Sequence, residues 1–116
     1  MGKDLRSFLE LVKQKRPEDF LQIEEEIDTR YETTAWVENF EKVGKHPIFF
    51  FKKIKGFNQP IVSNLFGSRR LMAMAINSTP EELLKTFTER HKHLIPYQFL
   101  KSGPVRDLIF EEDAVD

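Results

Sequence analysis

Apolar residues recur along the first part of the chain at two spacings, and each change of spacing marks an exchange of helix for strand. After Asp4, a natural N-cap, Leu5, Phe8, Leu9 and Val12 fall at i, i+3, i+4 and i+7. That is one stripe of an amphipathic helix, closed by Arg16-Pro17. Over Phe20–Glu24, Leu21 and Ile23 alternate with polar neighbours, which predicts a short strand. A second helix is predicted over about Thr29–Val43, with Thr33, Trp36, Phe40 and Val43 on one face and Gly44 suited to its C′ position. Pro47-Ile48-Phe49-Phe50-Phe51 reads as a buried strand, Lys52–Asn58 as a loop or hairpin turn around Gly56, and Pro60-Ile61-Val62 as the start of another strand.

Ser68, following Gly67, can cap a third helix in which Leu71, Met72, Met74, Ala75 and Ile76 are apolar on most sides, so that helix should be well buried. Thr79-Pro80-Glu81-Glu82 has the form of a capping box with proline at the first helical position. Leu83, Leu84, Phe87, His91 and Leu94 continue that fourth helix until Pro96. Gly103-Pro104 breaks the chain again, and Val105–Phe110 reads as a last strand or an extended arm before an acidic tail, Glu111–Asp116. The order αβαββαα plus an arm predicts an α+β fold. Three to four short strands form a small sheet packed with about four helices in a single domain.

Composition supports that picture. Hydrophobic residues make up 40% of the chain and 11 of its residues are Phe, so it can build a core and does not resemble a disordered tail. The longest apolar runs, such as Leu71–Ile76 and Ile48–Phe51, fall far short of the ~20 residues of a membrane span. Met1–Arg16 is charged and amphipathic, unlike a signal peptide. Without cysteine there is no disulfide, no thiolate chemistry and no cysteine-based zinc site. The expectation is a cytoplasmic protein.

Candidate chemistry is sparse. A hydrolytic triad needs a nucleophile, a base and an orienting acid. No Ser lies in a Gly-x-Ser-x-Gly elbow, and His91 and His93, two apart on a helix, point to different sides. His46 stands alone, so a metal site built from the three histidines is not expected. Glu24, Glu25, Glu26 and Asp28 read as a solvated edge and a helix N-terminus. Glu38 and Glu41 accompany the polar side of the second helix, and nothing singles them out as an acid/base pair. Gly67-Ser68-Arg69-Arg70 sets a glycine, a hydroxyl and two cations at a helix start, although a loop glycine, a capping serine and two solvated arginines explain it more simply. From Lys42 to Arg70 the chain carries Lys42, Lys45, Lys52, Lys53, Lys55, Arg69 and Arg70 with no acid between them. Phe49, Phe50, Phe51, Phe57 and Phe66 are interleaved. A basic groove with a stacking platform for single-stranded nucleic acid would look like this. Against it stand the net charge of −1 and the alternation of strand side chains, which turns at least one of three successive Phe inward. Core packing accounts for most of these rings.

A series of blocks in fixed order resembles a known family. These are Asp4–Leu9, Leu21-Gln22-Ile23 leading through Glu26-Ile27-Asp28 into Tyr31–Ala35, Pro47–Phe51 followed by Ile54–Phe57, and Pro60–Arg69 running into an alanine- and methionine-rich helix. Together they resemble the N-terminal domain of the UbiD family of reversible carboxy-lyases. That family includes 3-polyprenyl-4-hydroxybenzoate, ferulate and phenolic-acid decarboxylases and aryl carboxylases. The resemblance implies residues 1–103 as the N-terminal α+β domain and residues 104–116 as an acidic linker or arm leading to a central flavin-binding domain. It implies prenylated FMN, with a divalent metal and a monovalent cation, in a partner catalytic domain, joined in cis or supplied in trans as a separate subunit. A Glu–Arg–Glu set in that central domain performs the proton chemistry on an aromatic or α,β-unsaturated acid. None of those motifs occurs here, so no catalytic, cofactor or metal residue is assigned to this chain. Homo-oligomers are common in the family, largely through other domains. The expected role is to pack against the flavin domain and shape or gate its cleft. The expected contact surface is the corner Asn64, Gly67, Ser68, Arg69 and Arg70 with the basic Lys52, Lys53 and Lys55. The competing expectation is a stand-alone anion- or nucleic-acid-binding module using the Lys42–Arg70 stretch.

Overall fold

The computed structural model describes residues 3–109 and 111. Its elements follow the expected order: α1 (Leu5–Lys15), β1 (Phe20–Ile27), α2 (Glu32–Glu41), β2 (Ile48–Ile54), β3 (Ile61–Ser63), α3 (Arg69–Ala75) and α4 (Leu83–His91). Single 3-10 turns lie at Pro17–Asp19 and Pro104–Arg106. Asp4 caps α1 by accepting from the Ser7 amide, and Ser7 returns a bond to the Asp4 amide.

The sheet has the order β1-β2-β3. β1 and β2 run parallel, so α2 is the crossover between them, and β3 returns antiparallel to β2. The hairpin turns at Ile54-Lys55-Gly56-Phe57, where the Phe57 amide donates to the Ile54 carbonyl and Gly56 takes the positive φ of +81° that a type II turn needs at its third position.

Both faces of the sheet are covered, and the Phe triplet shows how. Phe49 and Phe51 point to the α2 face, where with Ile23, Ile27 and Ile54 they form one core under Trp36, Val37 and Phe40. Phe50 points the other way, beside Ile48 and Phe20, into a second core closed by Leu9 and Val12 of α1 and Leu71 of α3. The central strand is therefore apolar throughout its first half because it is buried on both sides.

Several expectations shift. β1 runs on to Ile27, so Glu24, Glu25 and Glu26 stand within an exposed edge strand and not at a helix start. Between Ile23 and Glu26 the register slips, three residues of β1 spanning two of β2, a bulge that bends the open edge. That bulge and the acidic side chains protect the edge from pairing with another strand. Lys52 and Lys53 belong to β2, not to the loop after it. α2 starts at Glu32 and ends before Val43, which is exposed, and Gly44 takes the left-handed conformation that ends the helix. In α3 only Leu71 and Ala73 are buried, so that helix is half covered. Thr79 accepts from the Glu82 amide as a cap should, but the helix proper begins at Leu83 and stops at His91, leaving Leu94 exposed. Among the described residues after α4 there is no strand, only the 3-10 turn and an exposed arm. Most of the acidic tail, and Phe110, lie outside the described residues.

Candidate functional site

The segment Asn64–Arg70 folds into a tightly specified corner. Asn64 leaves β3 with a φ of 60°, a left-handed conformation that Asn tolerates. Its side-chain amide Nδ2 donates to the Pro47 carbonyl at 2.9 Å, fastening the corner to the start of β2. The Gly67 amide then donates to the Asn64 carbonyl at 3.2 Å. This closes Gly67 onto the Asn64 side chain so far that a Cβ at position 67 would lie 2.7 Å from Asn64 Cγ. Ser68 Oγ accepts from the Leu71 amide at 3.2 Å and starts α3.

Arg69 and Arg70 leave the corner toward different partners. Arg69 Nε donates to the Pro80 carbonyl at 2.8 Å, tying α3 to the turn before α4. Arg70 grips Asp19 through Nε and Nη2, both at 2.8 Å, the two-pronged geometry that suits a carboxylate. Arg16 Nε approaches the same carboxylate at 3.4 Å. Asp19 is the buried charged residue of the described chain, at 7% exposure. Burial pushes its pKa up, but hydrogen bonds and charge from Arg70, then Arg16, outweigh burial and hold it below the usual aspartate value. The Arg70 guanidinium is pushed up in turn by the Asp19 hydrogen bonds.

Three depressions surround the corner. An apolar groove of about 350 Å³ runs between α3 and α4, lined by Phe66, Met72, Ile76, Leu83, Leu84 and Phe87 among others. A second, of about 430 Å³, lies between the start of α1 and α3 and shares Phe66 as a wall. Phe66 is 53% exposed and its ring lies 6.4 Å from that of Phe8. The third, about 570 Å³ and more polar, takes in Asp19, Arg70, Ser68, Lys45 and His46.

Asn64, Gly67, Ser68, Arg69 and Arg70 are thus brought together, but Lys52, Lys53 and Lys55 are not part of that place. Asn64 sits beside Pro47, at the opposite end of β2 from Lys53, about 20 Å away along a strand rising ~3.3 Å per residue. The basic stretch as a whole is dispersed and largely neutralised. Lys42 pairs with Glu38, Lys52 with Glu24, Lys55 with Asp28 and Arg70 with Asp19. Phe49 and Phe51 are fully buried and Phe50 lies against the second core, so three of the five interleaved rings offer no face for stacking. The stand-alone binding module has no support in this arrangement. Among the described residues no three His, Asp or Glu side chains gather to hold a metal ion. The corner's arginines are engaged by Asp19 and Pro80. These residues do not fit the phosphate-and-metal end of a flavin.

Sequence reasoning missed two features. Asp19 follows Pro17-Glu18 in a 3-10 turn with no periodicity, and its partner Arg70 lies 51 residues away, so nothing local marks it. The apolar stripe of α4 was legible as a helix, but not the direction it faces: Leu84 and Phe87 are 69% and 59% exposed.

Residues 11–91 match the model of the family described as 3-octaprenyl-4-hydroxybenzoate carboxy-lyase N-terminal domain. A phenolic acid decarboxylase of Sedimentibacter hydroxybenzoicus is 27% identical over 119 residues, covering 96% of this chain and 24% of that protein. The vanillic acid decarboxylase of the same organism, solved in an open form, superposes with a TM-score of 0.63 at 29% identity over 79% of this chain and 20% of that one. The UbiD-class enzyme HmfF from Pelotomaculum thermopropionicum, an evolved dimeric form solved with prFMN, shares the fold with a TM-score of 0.70 at 23% identity, over 82% of this chain and 21% of that one. The chain thus spans between a fifth and a quarter of the length of these relatives. With 81 consecutive residues matched and the same fold in UbiD-class enzymes, the chain belongs to the UbiD N-terminal domain family.

Proposed function

We propose that this chain is the N-terminal domain, or a small non-catalytic subunit, of a UbiD-type carboxy-lyase acting on an aromatic or α,β-unsaturated carboxylic acid. In this reading residues 1–103 are the domain, and residues 104–116 form the acidic linker or arm that leads to a flavin-binding portion present in cis or in trans. That portion supplies prenylated FMN and its metal ions, which carry the bond-breaking chemistry. The domain supplies a wall of the substrate cleft and a means of closing it, since clefts between domains are common ligand sites and closure excludes water. A cytoplasmic setting goes with this reading, and no helix of the described residues is long and apolar enough to cross a membrane.

One observation carries the proposal. A chain with the UbiD N-terminal fold leaves an apolar groove beside its tightly built corner, and an apolar arm, open to solvent. The test is to purify the complete enzyme through a tag on this chain, follow its flavin absorbance, and assay CO2 release from a panel of phenolic acids. Turnover is expected in the flavoprotein and absent from the 116-residue chain alone. Tight prenylated-FMN binding and decarboxylation by the isolated chain would overturn the reading.

A further inference from the structure

The exposed apolar residues of this protein are not scattered. Leu84 and Phe87 line one side of the α3–α4 groove, and the chain that leaves α4 carries Leu94, Ile95, Tyr97, Phe99 and Leu100 at 75–93% exposure. Groove and arm follow one another along the chain, and both present apolar side chains to solvent, the kind of exposure that marks an interaction site. The arm lies wholly beyond the residues that the family match covers, which end at 91, the last residue of α4. The relatives, of which this chain spans 20–24%, continue for most of their length beyond such a domain. The radius of gyration, 17.9 Å, also exceeds the roughly 13 Å of a compact domain of this length. The arm stands away from the domain and covers none of its own core.

We propose that the α3–α4 groove and the segment 94–100 form a two-part clamp for one partner, the flavin-binding portion of the same enzyme. The groove receives an apolar element of that portion and the segment runs across it as a strap. This rests on the function proposed above and adds where the two portions meet. It assigns Leu84, Phe87, Phe99 and Leu100 to the interface and leaves the acidic β1 edge outside it. A second copy of this chain, with arms exchanged between grooves, is the competing occupant.

The chain has no cysteine, so single thiols report on each place without background from the domain itself. Leu84→Cys, Phe87→Cys and Phe99→Cys are made at exposed positions, with Glu25→Cys on the β1 edge as control, and each is placed in the isolated chain and in the complete flavoprotein. Iodoacetamide labelling of the corresponding peptides is timed by mass spectrometry. Labelling at 84, 87 and 99 is expected to slow at least tenfold in the flavoprotein, with Glu25→Cys unchanged. Equal rates in both settings would overturn the clamp and leave the proposed function standing. Protection already present in the isolated chain, rising with its concentration, would assign the surface to a second copy and also overturn the clamp. If the chain enters no flavoprotein at all, the proposed function fails and the clamp with it.

Discussion

At the residue scale the fold turns on one buried carboxylate. Asp19 sits in a short 3-10 turn that has no reason of its own to be rigid, yet it is held by two arginines, one from the end of α1 and one from the start of α3. The pair therefore fixes the angle at which α3 leaves the corner. Asp19→Asn keeps the shape and removes the charge, leaving both guanidiniums without their anion. The expected cost is about 1–3 kcal/mol of stability at neutral pH, measured by urea unfolding. The pH dependence has a definite sign. The folded pKa of Asp19 lies below its unfolded value, so the pair contributes in full above about pH 4 and its contribution is lost as pH falls through the folded value. Wild type and Asp19→Asn should accordingly converge in acid, and a gap that persists there would show that the charge is not what matters. Gly67 gives a second residue-scale prediction. An added Cβ meets the Asn64 side chain, which cannot swing away without breaking its bond to the Pro47 carbonyl. Gly67→Ala should cost about 1–3 kcal/mol, the range for overpacking. In the Asn64→Ala background the same substitution should cost clearly less, and strict additivity of the two would refute the clash.

At the scale of elements, what was legible in the sequence was whatever repeats locally. The i, i+3, i+4, i+7 stripe placed α1 within a residue at its start, Ser68 capped α3 as expected, and the Phe triplet was a strand with faces alternating as a pleat demands. The length of β1 was not legible, because Glu24, Glu25 and Glu26 carry no apolar alternation. Glu26 pairs with Lys53 of β2 and Glu24 and Glu25 form the bulge before it, with Lys52 near enough to Glu24 to offset one charge. The composition of the site was half legible for a similar reason. The corner follows from consecutive residues, whereas grouping it with Lys52, Lys53 and Lys55 required knowing that β2 points them to its far end. The stripe of α4 marked a helix but not its facing, and it does not face this chain's core. The difference can be measured. Phe49→Ala, in the core under α2, should cost about 3–5 kcal/mol. Leu84→Glu and Phe87→Glu in the isolated chain should stay within ~0.5 kcal/mol of wild type, as surface substitutions do. A large loss from the latter pair would mean that α4 packs on its own domain after all.

For the molecule as a whole, the stable body and the reach of the chain part company near the end of α4. Both cores draw on residues from Phe8 to Met74, and no residue of the described arm joins either. α4 is attached more lightly. It is tied back by the Ser78–Thr86 hydroxyl pair at 2.7 Å, by the Arg69 bond to Pro80, and by Arg90 reaching the Ile76 carbonyl. Denaturant sensitivity scales with the surface that folding buries, so an arm that buries almost none of its side chains should contribute almost nothing to it. A chain ending at His91 should then unfold with the same midpoint and the same slope in urea as the 116-residue chain, while its radius of gyration in solution drops toward ~13 Å, the value for a compact domain near this size. If instead the slope falls, the arm folds onto the domain in solution and hides its apolar residues there. The α3–α4 groove would then be filled from within, and the surface this family member offers to a flavin-binding portion would have to be sought elsewhere on the body. Docking would in that case begin with release of the arm, making association slower than the bare corner and groove would allow.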